Sequence, residues 1–493
     1  MRSFDASSGK ASPSTAVDGS QSGSTRFARR LSLFLLLCAA LLTLAATCAQ
    51  AAGPEDDNAD AAQPGRAGHP TRPTGAIDAG ALLGAARIPL SAPASSAAAV
   101  SHPPTWLFPD SEIVNGPTAR DFDIRGYIES YPGYLKSHHE TVEGIDMDGP
   151  DIVELIAHRF SVNPRLLIAL LEWHGGWLTQ PDLPAATQAF TFNRHAYWAK
   201  GLYHQLEWAA DVLNAGFYAP TTRNYWRVQF LNGAIPHGPD DLNAATYAVA
   251  YLLARMSNMD EWEAARGEGD GSFVRTYRVL FGEPWSRAYE PLLPPNLRQP
   301  PLRLPWADGE TWWFTGGPHG GWGSGSAWGA IDFGPGEAGG DVGRHQYGCF
   351  DASDYWVRAM APGRILVSRR GELIQALENQ SDYHVGWVLV YDHLIAQDRV
   401  AEGAMVKPGD PVGHPGCEGG YSSGTHLHLA RRYNGVWIPA QGPTSVPFVV
   451  SGWVATSYGQ EYRGTLTQGE DRSLLAAPWR VVGQNDLAAG DGP

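Results

Sequence analysis

The proline-rich run from Pro291 to Pro305 divides the chain into two stretches of different texture, and this division limits the fold more than any other feature. Proline fixes φ and donates no backbone hydrogen bond, so neither a helix interior nor a central strand runs through such a segment. Upstream, Ile152, Leu155, Ile156 and Phe160 recur at helical spacing, and Asp151 with Glu154 fits a capping arrangement. Asn163-Pro164 opens a second helix that Gly175-Gly176 closes. Further helices are expected at about 205–215, 242–258 and 271–281. Downstream of Trp306, short runs such as Gly363 to Ser368 and Trp387 to Tyr391 are separated by Gly, Pro and Asp clusters, the pattern of antiparallel strands. The expected architecture is multidomain α+β. An N-terminal all-α domain over residues 104–290 is followed by a semi-rigid linker over 291–305, an antiparallel all-β domain over 306–475 and a loose tail over 476–493.

Residues 1–51 read as a targeting segment. Arg26, Arg29 and Arg30 precede the apolar run Leu31 to Ala46, and Ala49-Gln50-Ala51 offers a small-x-small cleavage site. The alternative is an uncleaved anchor, because the run approaches the ~17 residues that span a bilayer; residues 31–47 would then tether the chain to a membrane. Residues 52–103 are rich in Ala, Pro, Gly and Ser and cannot bury enough surface to offset their ordering entropy, so they read as a disordered linker. The net charge of -15 argues against a nucleic-acid partner, which calls for a basic stripe. Export also places the chain in an oxidising compartment. Cys38 and Cys48 fall inside the targeting segment, which leaves Cys349 and Cys417 as an expected disulfide.

The strongest chemical signal is Gly424-Thr425-His426-Leu427-His428-Leu429. On a strand, residues i and i+2 share a face, so both imidazoles project into one cleft while Leu427 and Leu429 enter the core. A zinc hydrolase needs three protein ligands and one open position. The remaining donors are expected from Gly316-Gly317-Pro318-His319-Gly320 and Ala330-Ile331-Asp332-Phe333-Gly334, where a glycine-rich loop brings a histidine beside a strand-borne carboxylate. Spacing alone leaves open which of His426 and His428 binds metal. A lone histidine in a glycine-rich loop is ordinarily a turn residue; His319 stands out only because its companions follow in order. No His-Glu-x-x-His occurs, so the helix-borne zincin pattern is absent.

Taken together, Gly317-Pro318-His319-Gly320, Ile331-Asp332-Phe333, Tyr391-Asp392-His393-Leu394, Pro408-Gly409-Asp410, Gly413-His414-Pro415 and Thr425-His426-Leu427-His428 resemble the lysostaphin-type zinc metallopeptidases. The step from His319 to Asp332 is closer to the beta-lytic or staphylolytic (LasA-like) branch. The resemblance implies that His319, Asp332 and His428 ligate one Zn2+ per chain and that His393 and His426 are catalytic. It implies an exported bacterial endopeptidase of the cell envelope or exterior, whose partner is a peptidoglycan peptide, a cross-bridge or stem. His345, His384 and His414 have no matching role and read as structural or solvated. The alternative is a non-catalytic wall-binding or regulatory protein that keeps the peptidase fold; such members lose metal ligands, and none of the five residues is missing here.

The stretch from Asn163 to Trp177 faintly resembles the lysozyme-like fold of lytic transglycosylases. His174 stands where that family carries its acid, and Glu172, two positions away, lies on a different helix face. Without that acid glycosidic cleavage is not expected, and the helical domain reads as a sugar-binding remnant or a structural domain. Tyr197, Trp198, Tyr203, Trp208, Tyr225 and Trp226 are either core residues or platforms for glycan contact.

Overall fold

The computed structural model describes residues 101–219, 230, 242–336, 349, 354–378, 380–442 and 445–490. The targeting segment, the linker up to residue 100, Tyr225, Trp226 and His345 lie outside the described residues. Everything described belongs to one compact unit, Gly75–Pro493. It combines helices with several antiparallel sheets.

The N-terminal half carries helices α1 (Ile124–Glu129), α2 (Gly149–Phe160), α3 (Pro164–Gly175), α4 (Ala185–Ala189), α5 (Leu202–Tyr218), α6 (Ala244–Arg255), α7 (Met259–Arg266) and α8 (Phe273–Phe281). It is not all-α, because a hairpin of β1 (His139–Val142) and β2 (Ile145–Asp148) precedes α2. The cap of α2 is Asp148, whose carboxylate accepts from Asp151 N at 2.9 Å, and not the expected Asp151. Gly149-Pro150 occupies the first turn, where the missing proline N–H leaves no bond unmade, so the helix starts earlier than its apolar spacing alone suggests. Asn163 caps α3 by accepting from Arg165 N at 3.0 Å, and Gly176 ends it at φ 69°, as expected.

The C-terminal half carries β3 (Thr311–Gly320), β4 (Trp328–Gly334), β5 (Val357–Arg358), β6 (Gly363–Arg369), β7 (Glu372–Ala376), β8 (Trp387–Asp392), β9 (Met405–Val406), β10 (Pro411–Gly413), β11 (Leu427–Tyr433), β12 (Val436–Trp437), β13 (Val449–Val450), β14 (Trp453–Gln460), β15 (Arg463–Gln468), β16 (Arg472–Leu475) and β17 (Asp486–Ala488). The main sheet runs β17-β3-β4-β11-β8-β7-β6-β9, with β12 paired to β11, and β13 to β16 form a second sheet. Leu427 and Leu429 are fully buried in a core with Trp306, Trp312, Phe314, Ile331 and Phe333.

Two sequence expectations need correction. Over 476–490 the tail is not loose: β17 pairs with the edge of β3, Leu487 is buried, and the Asn485 amide donates to Phe314 O. An edge strand presents unpaired main-chain groups, and β17 satisfies them. Nor is 291–305 only a semi-rigid linker. Leu302 and Leu304 sit in the core, Arg303 N donates to Met360 O at 3.0 Å, and Leu304 N donates to Ser451 Oγ at 3.1 Å. Proline content reports the local φ of a segment and not what its leucines bury against.

The halves also share side-chain packing. One hydrophobic cluster runs from α2, α3 and α5 into Val367, Ile374, Val388, Val390, Ala430, Trp437 and Ile438. Ser161 Oγ donates to Gly435 O at 2.6 Å, Arg432 Nη1 to His158 O at 3.0 Å, and Trp437 Nε1 to Phe160 O at 3.2 Å. His158 Nε2 lies 2.7 Å from Glu372 Oε2, with both side chains buried. Burial works to raise the Glu372 carboxyl, but His158, with Arg432 and Arg159 behind it, holds it down at about 2. The junction is thus a packed interface containing a buried His158–Glu372 contact.

Candidate metal centre

Four strands meet at the site, and their register sets its geometry. His428 on β11 pairs with Asp332 on β4 on one side and with Asp392 on β8 on the other. Asp332 in turn pairs with Gly316 on β3, three residues before His319. The β3–β4 pairing is irregular between Phe314 and Gly320, which swings His319 back over the sheet. Gly317, at φ 130°, makes the approach feasible, since a Cβ there would meet Ala330 O and Ile331 Cα at 3.0 Å.

The structure brings His319, Asp332 and His428 together, with one donor atom from each all within 4.8 Å of one another. All three are buried. His428 Nε2–H donates to Gly321 O at 3.0 Å, since a carbonyl can only accept, and this leaves Nδ1 as a lone-pair donor 3.3 Å from Asp332 Oδ1. His319 Nε2 and Asp332 Oδ1 lie 2.9 Å apart, yet both are buried without a hydrogen-bond partner. Two imidazole nitrogens and a carboxylate oxygen converging in this way fit a divalent zinc ion. Burial works to raise the Asp332 carboxyl, but the neighbouring His319 and His426 rings hold it well below the usual carboxylate range.

His393 and His426 flank this cluster. Their ring centroids lie 4.5 Å apart, and His393 is 6.0 Å from His428. His393 Nδ1–H donates to Glu418 O at 3.0 Å and His426 Nδ1–H donates to Gly424 O at 2.7 Å. Each neutral ring therefore leaves Nε2 unprotonated; that of His426 lies 3.9 Å from Asp332 Oδ2. Burial first, then the neighbouring His426 and His428 rings, push His393 down to about 3. Burial also lowers His426, against the pull of Asp332. Both are neutral bases at ordinary pH. His393 sits at φ 65°, just past the end of β8, a left-handed conformation uncommon for a non-glycine residue and a form of strain found at functional sites.

Cys349 and Cys417 are joined in a disulfide, as expected. The described histidines outside the centre have structural partners: His384 bonds to Asp382, and His414 Nδ1 donates to Tyr355 O at 2.7 Å beside Trp356. Glu172 accepts from Leu178 N, Thr179 N and Thr179 Oγ1, so it holds the turn after α3. The sequence reading missed Tyr462, whose ring stacks on His319 at 4.2 Å, and Glu461, which accepts from Gly320 N at 3.2 Å. It also missed the carbonyls of Gly321, Glu418 and Gly424. No sequence signal marks a carbonyl, because every residue has one.

Residues 106–296 match the family model described as LasA, N-terminal domain. Protease LasA of Pseudomonas aeruginosa strain PAO1 is 26% identical over 368 residues, covering 69% of this chain and 77% of the relative. Protease LasA of strain UCBPP-PA14 is 25% identical over the same shares. Among solved structures, the M23 metalloprotease pseudoalterin from the deep sea is 23% identical, covers 37% of this chain and 97% of its own, and has a TM-score of 0.29. The catalytic domain of lysostaphin from Staphylococcus simulans is 24% identical, covers 27% of this chain and 89% of its own, and has a TM-score of 0.18. The chain is a relative of Protease LasA, and the resemblance to the LasA-like branch of lysostaphin-type metallopeptidases holds.

Proposed function

We propose that the chain is an exported zinc endopeptidase that hydrolyses peptide bonds of bacterial peptidoglycan, in cross-bridges or stem peptides. In this reading residues 306–475 form the peptidase domain, residues 1–51 direct export, and the protein works in the cell envelope or outside the cell. The observation that carries the reading is the convergence of His319, Asp332 and His428, with His319 Nε2 and Asp332 Oδ1 buried and unpartnered. Its similarity to Protease LasA supports the class of reaction.

His319, Asp332 and His428 would hold the ion. A zinc ion bound there supplies Lewis acidity that activates a water and polarises a carbonyl. The chain's own residues do the rest. His393 and His426, each with Nδ1 tied to a main-chain carbonyl, turn Nε2 toward the reacting centre. One Nε2 takes the proton from the attacking water. That same proton, held on this ring or handed to its neighbour, goes to the nitrogen of the leaving amine as the C–N bond breaks. Burial keeps both rings neutral, so each is ready to accept a proton.

The test is digestion of purified peptidoglycan with mass-spectrometric analysis of products, comparing zinc-loaded and chelated protein. New amine termini are expected only from the loaded sample and again after zinc is restored. Identical products from both samples, or none from either, reject the reading and leave the non-catalytic wall-binding alternative, against which the retention of all five residues argues.

A glycan contact through the helical half is supported by one feature. Tyr197 and Trp198 are exposed by 95% and 64%, which is unusual for rings of this size. The loop that displays them is held rigid by the buried Gln205, which bonds to Phe192 N, Arg194 O and Ala199 O. Tyr197→Ala with Trp198→Ala is expected to lower retention on insoluble, peptide-stripped glycan strands several-fold; unchanged retention removes the glycan partner.

A further inference from the structure

The segment Gly416-Cys417-Glu418 touches both flanking histidines through its main chain. Gly416 N donates to His393 O at 2.6 Å, and Gly416 O accepts from His426 N at 3.2 Å. Two residues further on, Glu418 O receives the His393 Nδ1–H at 3.0 Å. Between these contacts stands Cys417, bonded to Cys349 from 68 residues upstream. The Glu418 side chain turns the other way, where Oε1 accepts from Ala396 N at 2.9 Å and Oε2 lies 3.5 Å from Arg399 Nη1.

The approach is close. A Cβ on Gly416 would come within 2.3 Å of Ile395 Cγ2, so only glycine lets the segment lie against the strand end that carries His393. On the far side, a Cβ on Gly419 would meet Asp392 Oδ1 at 2.4 Å. The segment is therefore wedged beside the end of β8. His393 itself sits at φ 65° there, a conformation that persists only where its surroundings over-determine it.

We infer that Gly416, Cys417 and Glu418 are positioning residues for the reaction proposed above: the Cys349–Cys417 bond clamps this segment so that the Glu418 carbonyl locks His393 in its Nδ1–H tautomer with Nε2 turned inward. This rests on the proposed peptidase reading for its consequence in rate, but the tautomer itself is a property of the chain alone. A carbonyl behind a ring nitrogen is the usual means by which a protein selects a tautomer, and loss of such a partner costs ~10–100-fold in activity. If the clamp is opened, His393 gains the freedom to flip or to protonate on Nε2, and the base is lost for a fraction of the time. The donors of His319, Asp332 and His428 lie on β3, β4 and β11, outside the clamped segment, so metal binding survives.

The experiment uses the zinc-loaded protein labelled with 15N in its histidine rings. The His393 signals are assigned by their loss in His393→Gln. Wild type is expected to show His393 as a single Nδ1–H tautomer. In Cys349→Ser the His393 signals move to a tautomer average, kcat on a peptidoglycan peptide falls ~10-fold or more, KM stays within about twofold, and zinc stoichiometry is unchanged. Gly416→Ala, which keeps the disulfide and pushes the segment off Ile395, is expected to give the same signature, and it decides the matter if Cys349→Ser does not fold. A His393 ring that keeps its Nδ1–H tautomer in the folded variants overturns the inference, whatever happens to the rate. A wild-type protein that holds zinc and the tautomer but cleaves nothing overturns the peptidase reading and leaves the clamp standing.

Discussion

Asp332→Ala is expected to abolish stoichiometric zinc binding and to lower peptidoglycan hydrolysis at least ~10³-fold, the equivalent of about 4 kcal/mol of transition-state stabilisation. Asp332 is the only anionic donor in the cluster, and it faces His319 at 2.9 Å, His428 at 3.3 Å and His426 at 3.9 Å. Without it two neutral imidazoles remain, which cannot offset the cost of placing a dication among buried groups. Thermal unfolding gives a reading independent of activity. Added zinc at ~1,000 times its dissociation constant contributes about 4 kcal/mol to a protein that binds it and nothing to one that does not, so the wild-type Tm should rise by several degrees while that of the variant stays put. An Asp332→Ala protein that retains one zinc and the wild-type Tm response contradicts the ligand set.

His393→Ala is expected to behave differently. Its ring lies beside the cluster but contributes none of the three converging donors, so zinc content and the thermal response should match wild type while kcat falls ~10²–10⁴-fold, the usual range for losing a positioned proton carrier. KM should change little, because a group that acts on protons in the transition state adds little to ground-state binding. His393 and His426 stand 4.5 Å apart and share one proton route in the proposed mechanism, so the double variant should be scarcely worse than either single one. Loss of zinc in His393→Ala, or a rate close to wild type, rejects the assignment. Together the two variants separate metal holding from proton handling, which stoichiometry and rate read independently.

Much of the centre was legible because its signals are local. The alternation His426-Leu427-His428-Leu429 states which side chains share a face, and Leu427 and Leu429 do fill the core. Asn163-Pro164 and Gly176 mark the ends of α3 through capping and left-handed φ, both properties of a few neighbouring residues. The errors have the opposite character. Residues 291–305 and 476–490 read as linker and tail, the first because proline recurs through it, yet Leu302, Leu304 and Leu487 are buried against partners far along the chain. Composition reports what a segment does alone and is silent on which surface it meets.

By itself the sequence determined the helical and stranded halves, the capped ends of α3, the glycines that permit close approach, and the candidate donors, because each depends on backbone preference or on side-chain chemistry at fixed spacing. Only the tertiary structure decided that β3, β4, β8 and β11 align so that His319, Asp332 and His428 converge, and that one hydrophobic cluster runs through both halves. It alone decided which ring nitrogen of His393, His426 and His428 carries the proton. Register is set by the packing of a whole sheet, and a tautomer by the nearest carbonyl, here those of Glu418, Gly424 and Gly321. Neither leaves a mark on the identity of the residues involved.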